Sequence, residues 1–288
     1  MQAIAKWLVA RPQNAVLGLA STLMLPAPQL TSGVIMVLLV LAQGPKLAAY
    51  KALLAGALLA AMSLLAGLSL PSMMVLMVAT WIPVMLLAVL LATTRSLTLT
   101  LQVSVIITVV AMLLFQIVVT DAAAYWQPYL DVMSEIMKQN GLQLDTEVLT
   151  PDVMTISAAL ALWLIVTAGL FLGYWLYRLT PVETRDFGRF QDLDLGRVIA
   201  FAAALAALLA FVIDAAWLAN IAFVLLAMFL IQGLSIMHWL RGKGILPVAA
   251  LIAVYVLMPI LQVVLVMVLA LVGYGDAWFG FRRRFGKA

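Results

Sequence analysis

The chain has no cysteine and a single histidine, His238, among 288 residues, and only 10% of its residues are charged. Without cysteine there is no disulfide framework, no thiolate metal site and no cysteine nucleophile. One histidine leaves no zinc constellation, and both H-E-x-x-H and G-x-S-x-G are missing. A phosphate loop of the form G-x-x-x-x-G-K-[ST] is missing as well, so the chain does not energise transport by itself through ATP. Gly273-Tyr274-Gly275 looks superficially like a dinucleotide turn, but no strand-like segment precedes it. These absences speak against an enzyme, a metal centre or a bound cofactor.

Scarcity of charge is itself informative. Soluble domains carry about 25% charged residues, and a water-soluble fold that is 66% hydrophobic has too few charges to cover itself. The runs Leu97–Val119, Met154–Tyr177, Val198–Ile213, Ala215–Met237 and Ile245–Val272 contain no Asp, Glu, Lys or Arg. Roughly 20 apolar helical residues cross a hydrocarbon core, where only helices or closed barrels satisfy every backbone polar group. The runs are continuous rather than alternating, so they predict helices. The net charge of +4 comes from basic residues scattered among loop ends, which act as topology signals rather than as a nucleic-acid patch. The lipid bilayer is the partner that composition predicts.

Lys6 and Arg11 precede an apolar stretch in the manner of a secretory signal. Leu25-Pro26-Ala27-Pro28 follows in place of an A-x-A-like site, so a retained helix is expected. Pro26 and Pro28 divide the first apolar region into short helices over Ala15–Leu25 and Leu30–Ala42, and Gly44-Pro45-Lys46 ends the second. Ala52–Leu70 and Met73–Ala92 follow, separated by Pro71-Ser72, and Arg95 marks the next boundary. Residues 121–153 form a polar insertion with six acids, Asp121, Asp131, Glu135, Asp145, Glu147 and Asp152, against the single base Lys138. Its lack of Lys and Arg assigns it to the outside. Within it, Trp126, Tyr129, Leu130, Met133, Ile136 and Met137 recur at helical spacing, which predicts an amphipathic helix on the outer surface ended by Asn140-Gly141. Thr150-Pro151-Asp152 then reads as an N-cap, a first-turn proline and a first-turn acid.

Arg178, Arg185, Arg189 and Arg197 place the 178–197 loop in the cytoplasm, and by span counting Lys46, Lys51, Arg95, Arg241 and Lys243 share that side. The tail Arg282-Arg283-Arg284 falls outside if Ile245–Val272 is one crossing, and inside if Pro259 breaks it into a hairpin of two short helices; the hairpin is favoured. The expectation is one all-α integral membrane domain over 1–288. It is a polytopic bundle of about eight or nine helices, with short or broken helices at both ends and a cytoplasmic or interfacial tail at 276–288.

An acid near the bilayer centre costs about 2.5–3.5 kcal/mol on insertion scales, which makes any deep carboxylate a functional suspect. Asp214, with Asn220, interrupts the apolar stretch Val198–Met237; the two either mark a site or form the outer turn between two helices. Gln102, Gln116, Gln232 and Gln262 are amides within expected spans, suited to interhelical hydrogen bonds or to a ligand. The ligand-binding candidates are therefore Asp214, Asn220, Gln232 and Gln262. Asp276 and Arg282 stand six residues apart, close enough after a turn for an ion pair, with Trp278 between them at head-group level. Those three are the candidates for an interface anchor or a partner motif. Gly169 and Gly173 make a GxxxG, Gly56 and Ala60 a weaker small pair, and internal packing accounts for both.

Two segments carry a recognisable pattern. Gln232-Gly233-Leu234-Ser235-Ile236 and Gly273-Tyr274-Gly275-Asp276-Ala277-Trp278-Phe279-Gly280-Phe281-Arg282 together resemble the YybS-like family of uncharacterised bacterial membrane proteins, which shows a Q-G-L-S run and a later G-x-x-D-x-W-x-D-F-R run. Gly280 here replaces an acid common in that family. By fold the family is similar to the substrate-binding S components of energy-coupling-factor transporters. That resemblance implies a helical bundle holding a small molecule near its outer face and working with separate energising subunits; Ala15, Gly18 and Thr22 match the S-component docking stripe approximately. The function expected is that of an inner-membrane protein binding a small molecule or lipid within a transport or membrane-homeostasis system. The alternative is a scaffold whose basic loop and tail recruit soluble proteins.

Overall fold

The computed structural model describes residues 1–141, 150–182, 184–258 and 260–285, without the side chains of residues 152, 262, 263, 283 and 285. All regular elements among them are helical: α1 (Gln2–Ala10), α2 (Pro12–Leu23), α3 (Pro28–Gln43), α4 (Pro45–Leu65), α5 (Leu70–Thr94), α6 (Leu97–Val118), α7 (Ala122–Gln139), α8 (Pro151–Arg178), a 3-10 turn (Phe190–Asp192), α9 (Gly196–Ile213), α10 (Ala216–Gly242), α11 (Val248–Leu257), α12 (Gln262–Phe279) and α13 (Phe281–Phe285). Proline explains many of the starts. Pro12, Pro28, Pro45 and Pro71 each occupy the first turn of their helix, where the missing N–H has no intrahelical acceptor to lose.

Six helices are long and apolar enough to cross a membrane: α4, α5, α6, α8 from Val153 onward, α9 and α10. This is a multi-pass membrane protein. The count differs from the expected eight or nine helices: thirteen α-helices are present among the described residues, and Pro28–Gln43, Val248–Leu257 and Val264–Phe279 are apolar but shorter than a span. Breaks expected from proline are seen at Leu25–Ala27 and between α11 and α12, although Pro259 itself lies outside the described residues. One boundary moves in a way that matters. Because Pro45 starts α4 well ahead of Ala52, Lys51 is not a loop-end signal but a buried residue of the second turn, its ammonium donating to the Gln43 Oε1 atom.

The chain divides into two compact units, residues 1–100 with 164–188, and residues 101–163 with 189–288. In the first, α3 is the innermost helix, with Ile35 through Val40 all buried. The buried Ser32 hydroxyl accepts from Trp81 Nε1 at 2.8 Å and donates to the Leu19 carbonyl at 3.1 Å, tying α5 and α2 to α3. Gly173 of α8 lies against α3, where a Cβ would overlap Val37 and stand 2.9 Å from the Val34 carbonyl oxygen. The following loop is held by tyrosines. The Tyr174 hydroxyl donates to Asp186 Oδ1 (3.0 Å) and accepts from the Phe187 N–H (2.9 Å), while Tyr177 accepts from the Arg185 N–H (3.0 Å).

In the second unit α10 is central: 78% of its most apolar stretch is buried, against 22% for α9. Exposed residues such as Phe211 and Val198 on α9 form the apolar surface that a lipid-facing helix needs. Trp163 Nε1 donates to the buried Ser104 hydroxyl at 2.9 Å, joining α8 to α6. The polar insertion carries α7 as expected, with Asp121 Oδ1 capping the Ala124 N–H (2.9 Å) and Gly141 ending it at φ +72°. Trp126 Nε1 donates to Thr155 Oγ1 (2.9 Å), and Phe115, Tyr125, Trp126 and Tyr129 form an aromatic cluster at the α6–α7 corner. Asp145 and Glu147 lie outside the described residues.

Candidate functional site

Two glycines set up the site. A Cβ at Gly233 of α10 would overlap the Leu269 carbonyl of α12, and one at Gly273 of α12 would overlap the Phe229 carbonyl and the Gly233 nitrogen of α10. Backbones therefore meet without intervening side chains, the close approach small residues permit between membrane helices. Further along, Trp239 near the end of α10 shares a cleft with Asp276, Gly280 and Arg282 at the end of α12. The two helices thus run in the same direction, and α11 returns between them.

This register places Gln232 beside Asp276. Gln232 Nε2 donates to Asp276 Oδ2 at 3.0 Å, and Gln232 Oε1 accepts from the Leu195 N–H at 2.8 Å, all of it buried. Helix α12 then ends on Gly280 at φ +62°, a left-handed turn that a glycine adopts without Cβ strain. The reversal swings Arg282 back over the helix end, where it pairs with Asp276 at 2.8 Å; the two side chains are 12% and 3% exposed. Arg282 Nε also donates to Asp276 Oδ2 (2.9 Å), Nη1 to the Gln191 carbonyl (3.0 Å) and the Ser235 hydroxyl (3.1 Å), and Nη2 to the Leu193 carbonyl (2.7 Å). The guanidinium thus makes four hydrogen bonds beside its ion pair. Gln102 Nε2 adds bonds to the Asp194 and Leu195 carbonyls (3.1 and 3.2 Å), so residues 191–195 are held from α6, α10 and the chain end together.

Beside this buried floor lies a half-open cleft of about 210 Å³, lined by Gln191, Asp192, Asp194, Trp239, Asp276, Gly280 and Arg282. Asp192 also pairs with Arg189 at 3.0 Å on the exposed side, and Asp194 Oδ1 accepts from the Gly196 N–H at 2.9 Å. The Lys243 ammonium stands over the Trp239 ring, 5.8 Å from its centre. Chemically the arrangement offers carboxylates and an indole face at its rim over a buried ion pair.

The seven residues singled out in the sequence distribute differently from expectation. Gln232 was grouped with Asp214 and Asn220, yet it joins Asp276 and Arg282, because it stands 12 residues beyond Asn220, about 18 Å along one helix. Asp214 is the exposed left-handed residue between α9 and α10, φ +53°. Asn220 is half-buried in the first turns of α10. The side chain of Gln262 lies outside the described residues; its backbone opens α12, about 21 Å of helix before Asp276. Trp278 takes part through its carbonyl, which accepts from Arg197 Nη2 at 3.3 Å, while its ring packs edge-on to Tyr274. Gln116 is exposed.

Residues that sequence reasoning did not single out are Gln191, Asp192, Leu193, Asp194, Ser235 and Trp239. Main-chain acceptors such as the 191 and 193 carbonyls leave no mark on a sequence. Ser235 stood within the Q-G-L-S run, and the Asp192–Asp194 pair in an arginine-rich loop was the one local signal available. No family model, curated protein or solved structure matches the chain.

Proposed function

We propose that this protein is a non-catalytic component of the bacterial cytoplasmic membrane that binds a small polar molecule or a lipid head group, within a transport or membrane-homeostasis system. The supporting observation is the cleft at the ends of α10 and α12, where carboxylates and an indole stand beside a buried charge pair. Sites for drug-sized ligands span roughly 300–1,000 Å³, so a cleft of about 210 Å³ suits a head group or fragment rather than a whole vitamin. In this reading the two runs that resemble the YybS-like family share one purpose, since Gln232, Ser235, Asp276 and Arg282 meet in a single network. Separate energising subunits, as in S-component systems, supply what a chain without a phosphate loop lacks. Screening the protein in lipid nanodiscs by thermal shift against vitamins, nucleosides and lipid precursors tests the reading. One class is expected to stabilise the native protein and not Trp239→Ala. No stabilisation by any class, with uptake unchanged in a deletion strain, overturns it.

A scaffold function is the second reading, favoured by one observation. Arg178 and Arg185 in the first unit, and Arg189 and Arg197 in the second, are all exposed, while hydrogen bonds hold the backbone at Arg185, Phe187 and Leu193. Cross-linking with mass spectrometry separates the two: ATPase subunits among the captured proteins support the transport assignment, and ribosomal or envelope-assembly proteins support the scaffold.

A further inference from the structure

We propose that the cleft beside Asp276 and Arg282 receives a primary alkylammonium carried on a phosphate ester, the chemistry of an aminophospholipid head group. The proposal deepens the binding function assigned to this cleft and rests on it. Four observations converge on a cation at the rim of the cleft. Its lining holds three carboxylates, Asp192, Asp194 and Asp276, against the Arg282 guanidinium and the Arg189 that pairs with Asp192, which leaves one carboxylate in excess. The Arg282 guanidinium is already committed to the protein, through four hydrogen bonds to Asp276, Ser235 and the carbonyls of Gln191 and Leu193 and through its ion pair with Asp276. The Arg189–Asp192 pair at the rim is exposed on both sides, 64% and 48%, and such pairs exchange partners at little cost. Trp239 already draws one ammonium, that of Lys243, over its ring, and the indole face is the best aromatic acceptor for one.

The rest of the head group follows from what surrounds the opening. Arg241 and Lys243 are exposed just past Trp239, at the end of α10, and supply cations for a phosphate outside the cleft. Next in the chain, Ile245 (64% exposed) and Val248 (49%) lead into the apolar α11, a surface for acyl chains. A volume of about 210 Å³ admits an aminoethyl group; a trimethylated ammonium brings more bulk and no N–H donors for the carboxylates.

Nanodiscs of three compositions test this: phosphatidylethanolamine with phosphatidylglycerol, phosphatidylcholine with phosphatidylglycerol, and phosphatidylglycerol alone. Native mass spectrometry reads the retained lipid, thermal unfolding reads its effect, and soluble phosphoethanolamine serves as the diacyl-free arm. The expected result is retention of phosphatidylethanolamine over both other lipids, weakened about fivefold to tenfold in Asp192→Asn and in Trp239→Ala. Competition by phosphoethanolamine identifies a free phosphate ester as sufficient, and its failure to compete assigns the ligand to the bilayer. Equal retention of the three lipids, or an undiminished preference in both variants, overturns the proposal. If a different ligand class stabilises the protein and depends on Trp239, the ammonium assignment fails and the binding function stands; if nothing binds, both fail.

Discussion

Arg282 makes four guanidinium hydrogen bonds and an ion pair to acceptors on three segments of the chain, and no other side chain can take its place. Lysine offers three donors from a point charge without the planar fork, so Arg282→Lys leaves the Gln191 or Leu193 carbonyl and part of Asp276 unpaired. We expect a loss of about 2–4 kcal/mol in that variant, since each buried group left unsatisfied costs about 1–3 kcal/mol. Asp276→Asn is expected to cost about 3–5 kcal/mol, because the guanidinium stays buried without its counter-charge. Removing both charges in Asp276→Asn with Arg282→Gln is expected to cost less than the sum of the single changes. Unfolding in detergent followed by tryptophan fluorescence measures all three. A single-variant loss below about 0.5 kcal/mol shows the pair to be a surface feature of little consequence. At this scale the sequence was half legible. The six-residue step from Asp276 to Arg282 pointed to the ion pair, but nothing local joined Gln232 to it across 44 positions. That union depends on where α11 returns the chain.

At the scale of the element, glycine spacing separates real helix contacts from coincidental ones. Gly233→Ala and Gly273→Ala each place a methyl onto backbone atoms of the facing helix, which has no rotamer with which to yield. Each is expected to destabilise the protein by about 1–3 kcal/mol through forced separation of α10 from α12. The GxxxG of α8 is expected to divide unequally. Gly173→Ala overlaps Val37 and is destabilising, whereas a Cβ at Gly169 meets nothing closer than the Gln29 carbonyl oxygen at 3.9 Å. Gly169→Ala is therefore expected to be neutral, or stabilising by up to about 1 kcal/mol from helix propensity. Thermal unfolding of the four variants checks the ranking, and equal losses at 169 and 173 contradict it. Some helix limits were readable because proline and glycine act locally, as where Pro151 begins α8 and Gly141 follows α7, whereas α1 and the start of α4 at Pro45 were not read. Partner choice was not readable, because an apolar face in lipid carries no period that distinguishes protein from acyl chain.

For the molecule as a whole, the second unit sets a topology that can be tested outright. Residues 191–195, the end of α10 and the end of α12 are bound into one network, so they lie on one side of whatever the helices cross. Gln102 near the start of α6 bonds into the same network, and α6 runs on to Val118, about 24 Å further, to reach α7. Helix α7 with Asp131 and Glu135 therefore stands at the opposite side from Arg189, Arg197, Arg241, Lys243 and Arg284. By the positive-inside rule the arginine side is expected to face the cytoplasm, and the tail with it, since α12 follows α11 as the returning limb of a hairpin. A cysteine-free chain makes the test clean, because any introduced thiol is the sole target. Intact cells are expected to label Glu135→Cys with a membrane-impermeant maleimide, and to label Arg241→Cys and Arg284→Cys only after permeabilisation. Labelling of Arg284→Cys from outside while Arg241→Cys stays protected would break the parallel α10–α12 arrangement, and with it the cleft, whose walls at Trp239 and Arg282 exist together only if both helices end on the same side.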